Sequence, residues 1–230
     1  VTERILVVFD IDSTLINEEG LDLLAAHAGD DIARLVADIT HRAMAGELDF
    51  AESLIQRVAL LEGVPISLLK KVAATLTLSP GAIDLIDEVH RRSGVVGAVS
   101  GGFHELVDGL ASEACLDHWL ANRFEVSGDT LTGRLTGDIV DAQAKADFLT
   151  YWAAHHNIPL ANTVAIGDGA NDVVMFDVAG LSISFCGRDV ANQRADISLA
   201  ERNLAHVIEH LPGGVSVAHS EPAVDGNHRA

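Results

Sequence analysis

The chain has 230 residues, 48% of them hydrophobic and 21% charged, an ordinary globular balance that excludes disorder throughout. That length fits one domain with a sizeable core, or a core plus a small insert. Lys and Arg number 15 against 34 Asp and Glu, and the formal net charge of −19 makes nucleic acid and anionic membrane surfaces poor partners. An anionic substrate would need a site that reverses this field locally.

Residues 5–9 (ILVVF) are an unbroken apolar run of strand length, the pattern of a buried parallel strand. The residues before it lack the basic start and small-residue cleavage site of a signal peptide. No apolar stretch approaches the roughly 20 residues that span a bilayer. From 17 to 78 no buried-strand run occurs; Leu21, Leu24, Ala25 and Ala28 make one helical stripe, and Phe50, Leu54, Val58 and Leu61 another. Gly29, Gly46, Gly63-Val64-Pro65 and Ser79-Pro80-Gly81 punctuate this helical insert.

A helix is expected over 81–92, with Ile83, Ile86 and Val89 on one face, then a strand over 95–99 and a helix over 103–114 after a glycine pair. Two β-like runs, 123–126 and 131–135, flank Gly128-Asp129 and predict a hairpin. A helix over 144–155 stops before Pro159, and buried strands follow at 164–166, 181–185 and, more weakly, near Ile197. Leu204, Val207, Ile208 and Leu211 have the spacing of a last helix that ends at Pro212-Gly213. Strands alternating with helices define an α/β domain with a mostly parallel sheet. The tail, 212–230, is small, polar and unpatterned, and is expected to be disordered. Cys115 and Cys186 lie in apolar surroundings and are expected to be buried thiols in a reducing cytosol. The eleven histidines are scattered without metal-ligand spacing; His155 and His156, the only adjacent pair, do not face one another on a helix.

Chemistry concentrates where strands end, because ligands of open α/β sheets bind at their carboxyl edge. The first strand runs into Asp10-Ile11-Asp12-Ser13-Thr14, whose i, i+2 spacing places both carboxylates on one side of an extended segment. Two such acids can divide labour, one attacking and the other carrying a proton. The alternative is a plain strand end with a Ser/Thr helix cap. Gly167-Asp168-Gly169-Ala170-Asn171-Asp172 repeats the logic after another strand, and Asp168 and Asp172 share a face if the helix begins early. Hard oxygen ligands without His or Cys suit Mg²⁺; a capped turn is the weaker account, because two acids near a glycine turn need a charge partner. Ser100-Gly101-Gly102 before a helix can cradle a phosphate, but such a triplet is also common in loops. Among twelve arginines and only three lysines, Lys145 lies near a probable helix start, as a counter-charge to phosphate or as an ordinary solvated lysine.

DIDST, SGGF, Lys145 and GDGAND occur in this order and resemble the four motifs of the haloacid dehalogenase superfamily of phosphatases. Within it, Ala43–Phe50 (AMAGELDF), the SLIQRV stretch from Ser53 to Val58 and Ala121-Asn122-Arg123 resemble the phosphoserine phosphatase family. The resemblance covers about residues 4 to 211 and implies a Rossmann-like core, 1–16 and 79–211, with a helical cap, 17–78, inserted after the first strand. It implies that Asp10 is the nucleophile, Asp12 the general acid and base, and Mg²⁺ the cofactor, held by Asp10, the Asp12 carbonyl and Asp168 with Asp172 in support. By the same resemblance Ser100, Gly101 and Lys145 bind the phosphoryl oxygens and Asn171 orients its neighbours. In the cap, Glu19 meets a substrate amino group, with Glu18 as the adjoining alternative; Arg57 meets a carboxylate, and Met44 and Phe50 line the pocket. Without the resemblance Arg57 could equally be a solvated arginine beside an apolar stripe.

The activity so implied is hydrolysis of O-phospho-L-serine, the last step of serine biosynthesis, in the cytoplasm. Transfer of phosphate to homoserine and hydrolysis of another small phosphomonoester are alternatives. A receiver-like phosphoacceptor domain would also combine Asp, Mg²⁺ and Lys, but is about half this length and has no cap. Many family members carry an amino-terminal regulatory domain; with the first strand starting near residue 4, none is expected here. The oligomeric state is not legible in the sequence.

Overall fold

The structure, a computed structural model, describes residues 4–213. Nearly all of the expected tail thus lies outside the described residues. Strand β1 (Leu6–Phe9) is central because it is apolar on both sides, with every residue fully buried. It pairs in parallel with β2 (Val95–Phe103) and with β5 (Thr163–Gly167). With β3 (His118–Ser127), β4 (Thr130–Thr136), β6 (Leu181–Phe185) and β7 (Ile197–Leu199), these form a seven-stranded sheet in the order β4-β3-β2-β1-β5-β6-β7. Only β4 is antiparallel, since it is the return arm of the hairpin across Gly128-Asp129. Alternation along β1 sends Val7 and Phe9 into one hydrophobic core and Leu6 and Val8 into the other, so both faces must be covered.

Between β1 and β2 the chain first forms a group of four helices, α1 (Gly20–Ala28), α2 (Asp30–Met44), α3 (Phe50–Ala59) and α4 (Ile66–Ala73). Leu21, Leu24 and Ala25 of α1, and Leu54 and Val58 of α3, are buried as their stripes require. Asp49 caps α3 by accepting the Glu52 N–H at 2.7 Å. Next come α5 (Ala82–Arg91), α6 (His104–Glu113), α7 (Ala142–His155), α8 (Val173–Val178) and α9 (Asp189–Arg194). Leu149 and Trp152 of α7 and Met175 and Phe176 of α8 fill the second core.

Several local expectations are corrected. Ile83 is 44% exposed; the buried face of α5 is Ala82, Leu85, Ile86 and Val89, one step round the helix. Ser100-Gly101-Gly102 is no tight turn but a continuation of β2, where the register against β3 shifts. The closing helix, Leu204–His210, is a 3₁₀ helix. Cys115 is exposed and Cys186 only partly buried, so neither is a packed core thiol. Both sit at positive φ, 59° and 48°, and Cys186 is partly buried against the first core. Among the described residues no helix is long and apolar enough to cross a membrane.

Candidate active site

The carboxyl ends of β1, β2 and β5 open under the inserted helices into one cavity of about 400 Å³. Asp10 follows β1 directly, and its Oδ1 accepts the Ile11 N–H at 2.7 Å and the Lys145 ammonium at 2.8 Å. The chain then makes a π-type turn, Ile11–Leu15, in which Ser13 is held at φ 57°. Such turns and strained residues gather at functional sites. This turn brings Asp12 back to the cavity, where Oδ1 accepts the Gly20 N–H at 2.7 Å and Oδ2 the Ser100 hydroxyl at 3.0 Å. The Ser100 oxygen in turn accepts the Gly102 N–H at 2.8 Å. A Cβ on Gly102 would lie 2.5 Å from Asp12 Oδ2, and one on Gly101 would lie 2.7 Å from the Phe50 ring, so glycine is needed at both places.

Asp168 lies just past β5. A 3₁₀ turn, Ala170–Asp172, leads into α8, so Asp168 precedes the first helical residue and does not share a helical face with Asp172. Instead the Asp172 carboxylate folds back and accepts the N–H groups of Asp168 and Gly169, each at 3.0 Å. Its other oxygen takes Lys145 Nζ at 2.7 Å. Lys145 reaches this place from the first turn of α7, a helix capped by Asp141 accepting the Ala144 N–H at 2.9 Å. The lysine is 1% exposed and wedged between Asp10 and Asp172. Lys145, Ser100 and Asp172 therefore lie behind the cavity wall, whereas Asp10, Asp12, Glu19, Met44, Phe50, Arg57, Gly101, Asp168 and Asn171 line it.

Electrostatics follow from this enclosure. Burial, then the nearby Asp172 charge, lifts the Asp10 carboxyl well above the carboxylate range against the pull of Lys145. Burial also raises Asp12, while its bonds from Gly20 and Ser100 oppose the rise. Asp168 is pushed to about 6 by desolvation and by Asp172. Burial weakens the Lys145 charge, but Asp10 and Asp172 outweigh it and hold the ammonium above its ordinary value. Asp10, Asp168 and Asp172 offer three carboxylate oxygens within 4.8 Å of one another. An all-oxygen set of this kind matches the donor preference of a hard divalent cation.

The cap side is resolved by a long-range contact. Glu18 is engaged away from the cavity: its carboxylate accepts the Thr77 N–H at 3.0 Å and the Thr77 hydroxyl at 2.7 Å. Glu19 lines the cavity, is held by the Ser13 hydroxyl at 2.7 Å, and is raised to about 7 by desolvation and by Asp12. Arg57 also lines the cavity, within reach of the Asp22, Glu19 and Asp12 charges, with its Nε donating to the Ser53 carbonyl at 3.4 Å. Asp22, Ser53 and Arg188 also line the cavity and were not expected from the sequence. Asn122 is a buried strut, donating to the Gly101 carbonyl at 2.8 Å and accepting the Val140 N–H at 2.9 Å.

A parallel sheet that presents a carboxylate–lysine cluster beneath a helical cap defines a class, the capped α/β hydrolases of phosphate esters. Residues 7–177 match the family model for haloacid dehalogenase-like hydrolases. The chain is 48% identical over 206 residues to the phosphoserine phosphatase of Streptococcus thermophilus, covering 90% of this chain and 95% of that protein. It is 40% identical to the phosphoserine phosphatase of Methanocaldococcus jannaschii, over 90% of this chain and 97% of that protein. Among solved structures, a substrate-bound phosphoserine phosphatase complex superposes with a TM-score of 0.86 at 38% identity, covering 92% of this chain and all of that one. A phospho-aspartyl intermediate analogue of phosphoserine phosphatase gives 0.85 at 39% identity, over 91% and 99%. The chain belongs to the phosphoserine phosphatase family of haloacid dehalogenase-like hydrolases.

Proposed function

We propose that this protein is an Mg²⁺-dependent phosphatase that hydrolyses O-phospho-L-serine to L-serine and phosphate. The observation that carries the reading is a single cavity joining Asp10 and Asp168 at the sheet edge to Glu19 and Arg57 under the cap. One end suits a phosphoryl group and the other an ammonium beside a carboxylate, the two ends of a phosphorylated amino acid. The donor set fits the metal: Asp10, Asp168 and the Asp12 carbonyl would hold Mg²⁺, and Asp172, fixed by two backbone N–H groups, would support Asp168. When bound, the ion supplies positive charge to the phosphoryl oxygens.

The residues divide the reaction as follows. Lys145 cancels part of the Asp10 charge at 2.8 Å and fixes its direction, so that a carboxylate can approach a dianion. With Oδ1 taken by the Ile11 N–H and Lys145, Asp10 Oδ2 attacks phosphorus. Asp12 donates its proton to the seryl oxygen as the P–O bond breaks and serine leaves. Asp12 then takes a proton from water, whose oxygen attacks phosphorus, and the bond to Asp10 breaks to release phosphate. Ser100 and the Gly101 N–H would position the phosphoryl oxygens, with the Gly102 N–H holding the Ser100 oxygen in place. Glu19 would hold the ammonium and Arg57 the carboxylate in a planar fork, with Met44 and Phe50 as apolar wall and Asn171 orienting the phosphate end. Serine biosynthesis in the cytoplasm is the setting that this activity serves.

Steady-state phosphate release tests the reading. O-Phospho-L-serine should be turned over with a kcat/KM at least about a hundredfold above a phosphomonoester without the amino-acid group. Equal rates would reject the substrate. Added homoserine should yield no phosphohomoserine, and Asp10→Asn should abolish turnover. Release of many phosphates per chain separates this enzyme from a receiver-like phosphoacceptor.

A further inference from the structure

We propose that Ser53 is a substrate-binding residue whose hydroxyl donates a hydrogen bond to the substrate carboxylate, beside Arg57. The proposal rests on the phosphoserine reading and adds to it a specificity contact in the cap.

The argument begins with the helix period. Phe50, Ser53, Leu54 and Arg57 fall at i, i+3, i+4 and i+7 on α3, and this one stripe forms a wall of the cavity. Ser53 is 1% exposed, yet its Oγ has no hydrogen-bond partner. A serine inside a helix ordinarily turns its hydroxyl to the carbonyl one turn back. Here the Asp49 carbonyl accepts only the Ser53 backbone N–H, at 3.0 Å. A buried hydroxyl left unpaired is unfavourable, and few persist without a reason. At this place the reason is the cavity, because the missing partner can arrive with the ligand.

The chemistry of that partner is set by neighbours. Arg57 Nε donates to the carbonyl of Ser53 itself, so guanidinium and hydroxyl sit in the same turn. A carboxylate has about four acceptor sites, of which a planar fork fills two. The Ser53 proton can fill a third. The ammonium is served elsewhere, by Glu19 at the start of α1, and the phosphoryl group lies at the sheet edge by Asp10 and Asp168. Among the described residues, two other buried hydroxyls lack partners. Thr14 does not line the cavity, and Thr40 lines it from α2, away from the α3 turn that carries Arg57.

The test pairs affinity with stability in Ser53→Ala. The KM for O-phospho-L-serine should rise about tenfold with kcat within about twofold, the range for losing one hydrogen bond to a charged group. Phosphoethanolamine keeps the phosphate and ammonium but lacks the carboxylate. Its KM, or its Ki against phosphoserine if it is not turned over, should be the same in both proteins. The ligand-free variant should melt at the same temperature as the wild type or higher, since no hydrogen bond is lost. An unchanged KM for phosphoserine, an equal loss for both compounds, or a lower melting temperature would each overturn the proposal. Failure of the underlying reading looks different: the wild-type protein itself would not prefer phosphoserine to phosphoethanolamine.

Discussion

Replacing Lys145 by Met tests how the core of the site is held together. The ammonium lies 2.8 Å from Asp10 and 2.7 Å from Asp172 and is 1% exposed, so its removal leaves two buried carboxylates without a counter-charge. Breaking a buried pair from one side costs about 3–5 kcal/mol. For a chain of this size each kcal/mol moves the melting temperature by about 2–4 °C, so a loss of about 6–20 °C is expected at neutral pH in chelator. The sign with pH follows from linkage. With the lysine gone, the Asp10 carboxyl loses the charge that pulls it down and rises further above its unfolded value, so the variant's folded state binds more protons than the wild type's. The deficit should therefore be small near pH 4 and grow as pH rises to 7. Thermal melts of both proteins across that range measure it. A loss under about 2 °C, or one equal at pH 4 and pH 7, would refute the account of Lys145 as the charge that holds Asp10 and Asp172 together.

Gly102→Ala would place a methyl 2.5 Å from Asp12 Oδ2, and since about 1 Å of misplacement costs on the order of a hundredfold, kcat should fall at least tenfold while the protein still folds. Unchanged kcat would show that Asp12 does not need this position. Arg57→Lys keeps the charge but loses the fork, so the KM for phosphoserine should rise about tenfold while a phosphomonoester without the amino-acid group is unaffected. Glu88 is held at about 2 by hydrogen bonds from Arg91 and Arg92. Its depressed value means stabilisation that is full above the ordinary glutamate range and lost as pH falls toward 2. Glu88→Gln should therefore lower stability by about 0.2–1 kcal/mol at pH 7 and by less at pH 3, read from urea midpoints.

What the sequence carries and what it withholds divide along contact range. The run ILVVF and the segments after it announce a parallel sheet because burial on both faces leaves a local signature. Asp10, Asp12 and Asp168 are legible because each follows such a run. Glu18 and Glu19 are not separable locally: the difference is made by Thr77, 59 positions away. Ser53, Asp22 and Arg188 leave no trace because a helix or loop residue reveals nothing of the cavity it will face. The glycine pair invites a loop reading because glycine allows turns, whereas here its missing Cβ makes room for Asp12 and Phe50. Asp172 shows the same gap, since its carboxylate reaches backward to two N–H groups that a helical-face argument does not consider.

The net charge of −19 acquires a local meaning in the cavity. Five acids, Asp10, Asp12, Glu19, Asp22 and Asp168, line it against two arginines, Arg57 and Arg188, while Lys145 and Asp172 cancel behind the wall. Fully ionised, the cavity is three charges negative, and a phosphate dianion would be repelled from it. A divalent cation on Asp10 and Asp168 removes two of those charges. One proton on an acid would remove the third, and under the proposed mechanism Asp12 is the acid that needs a proton in order to release the seryl oxygen. The proton required for leaving-group chemistry is thus also the proton required for substrate entry. On the proposed mechanism the cavity would admit a small anion only once a divalent cation and one proton offset its carboxylates.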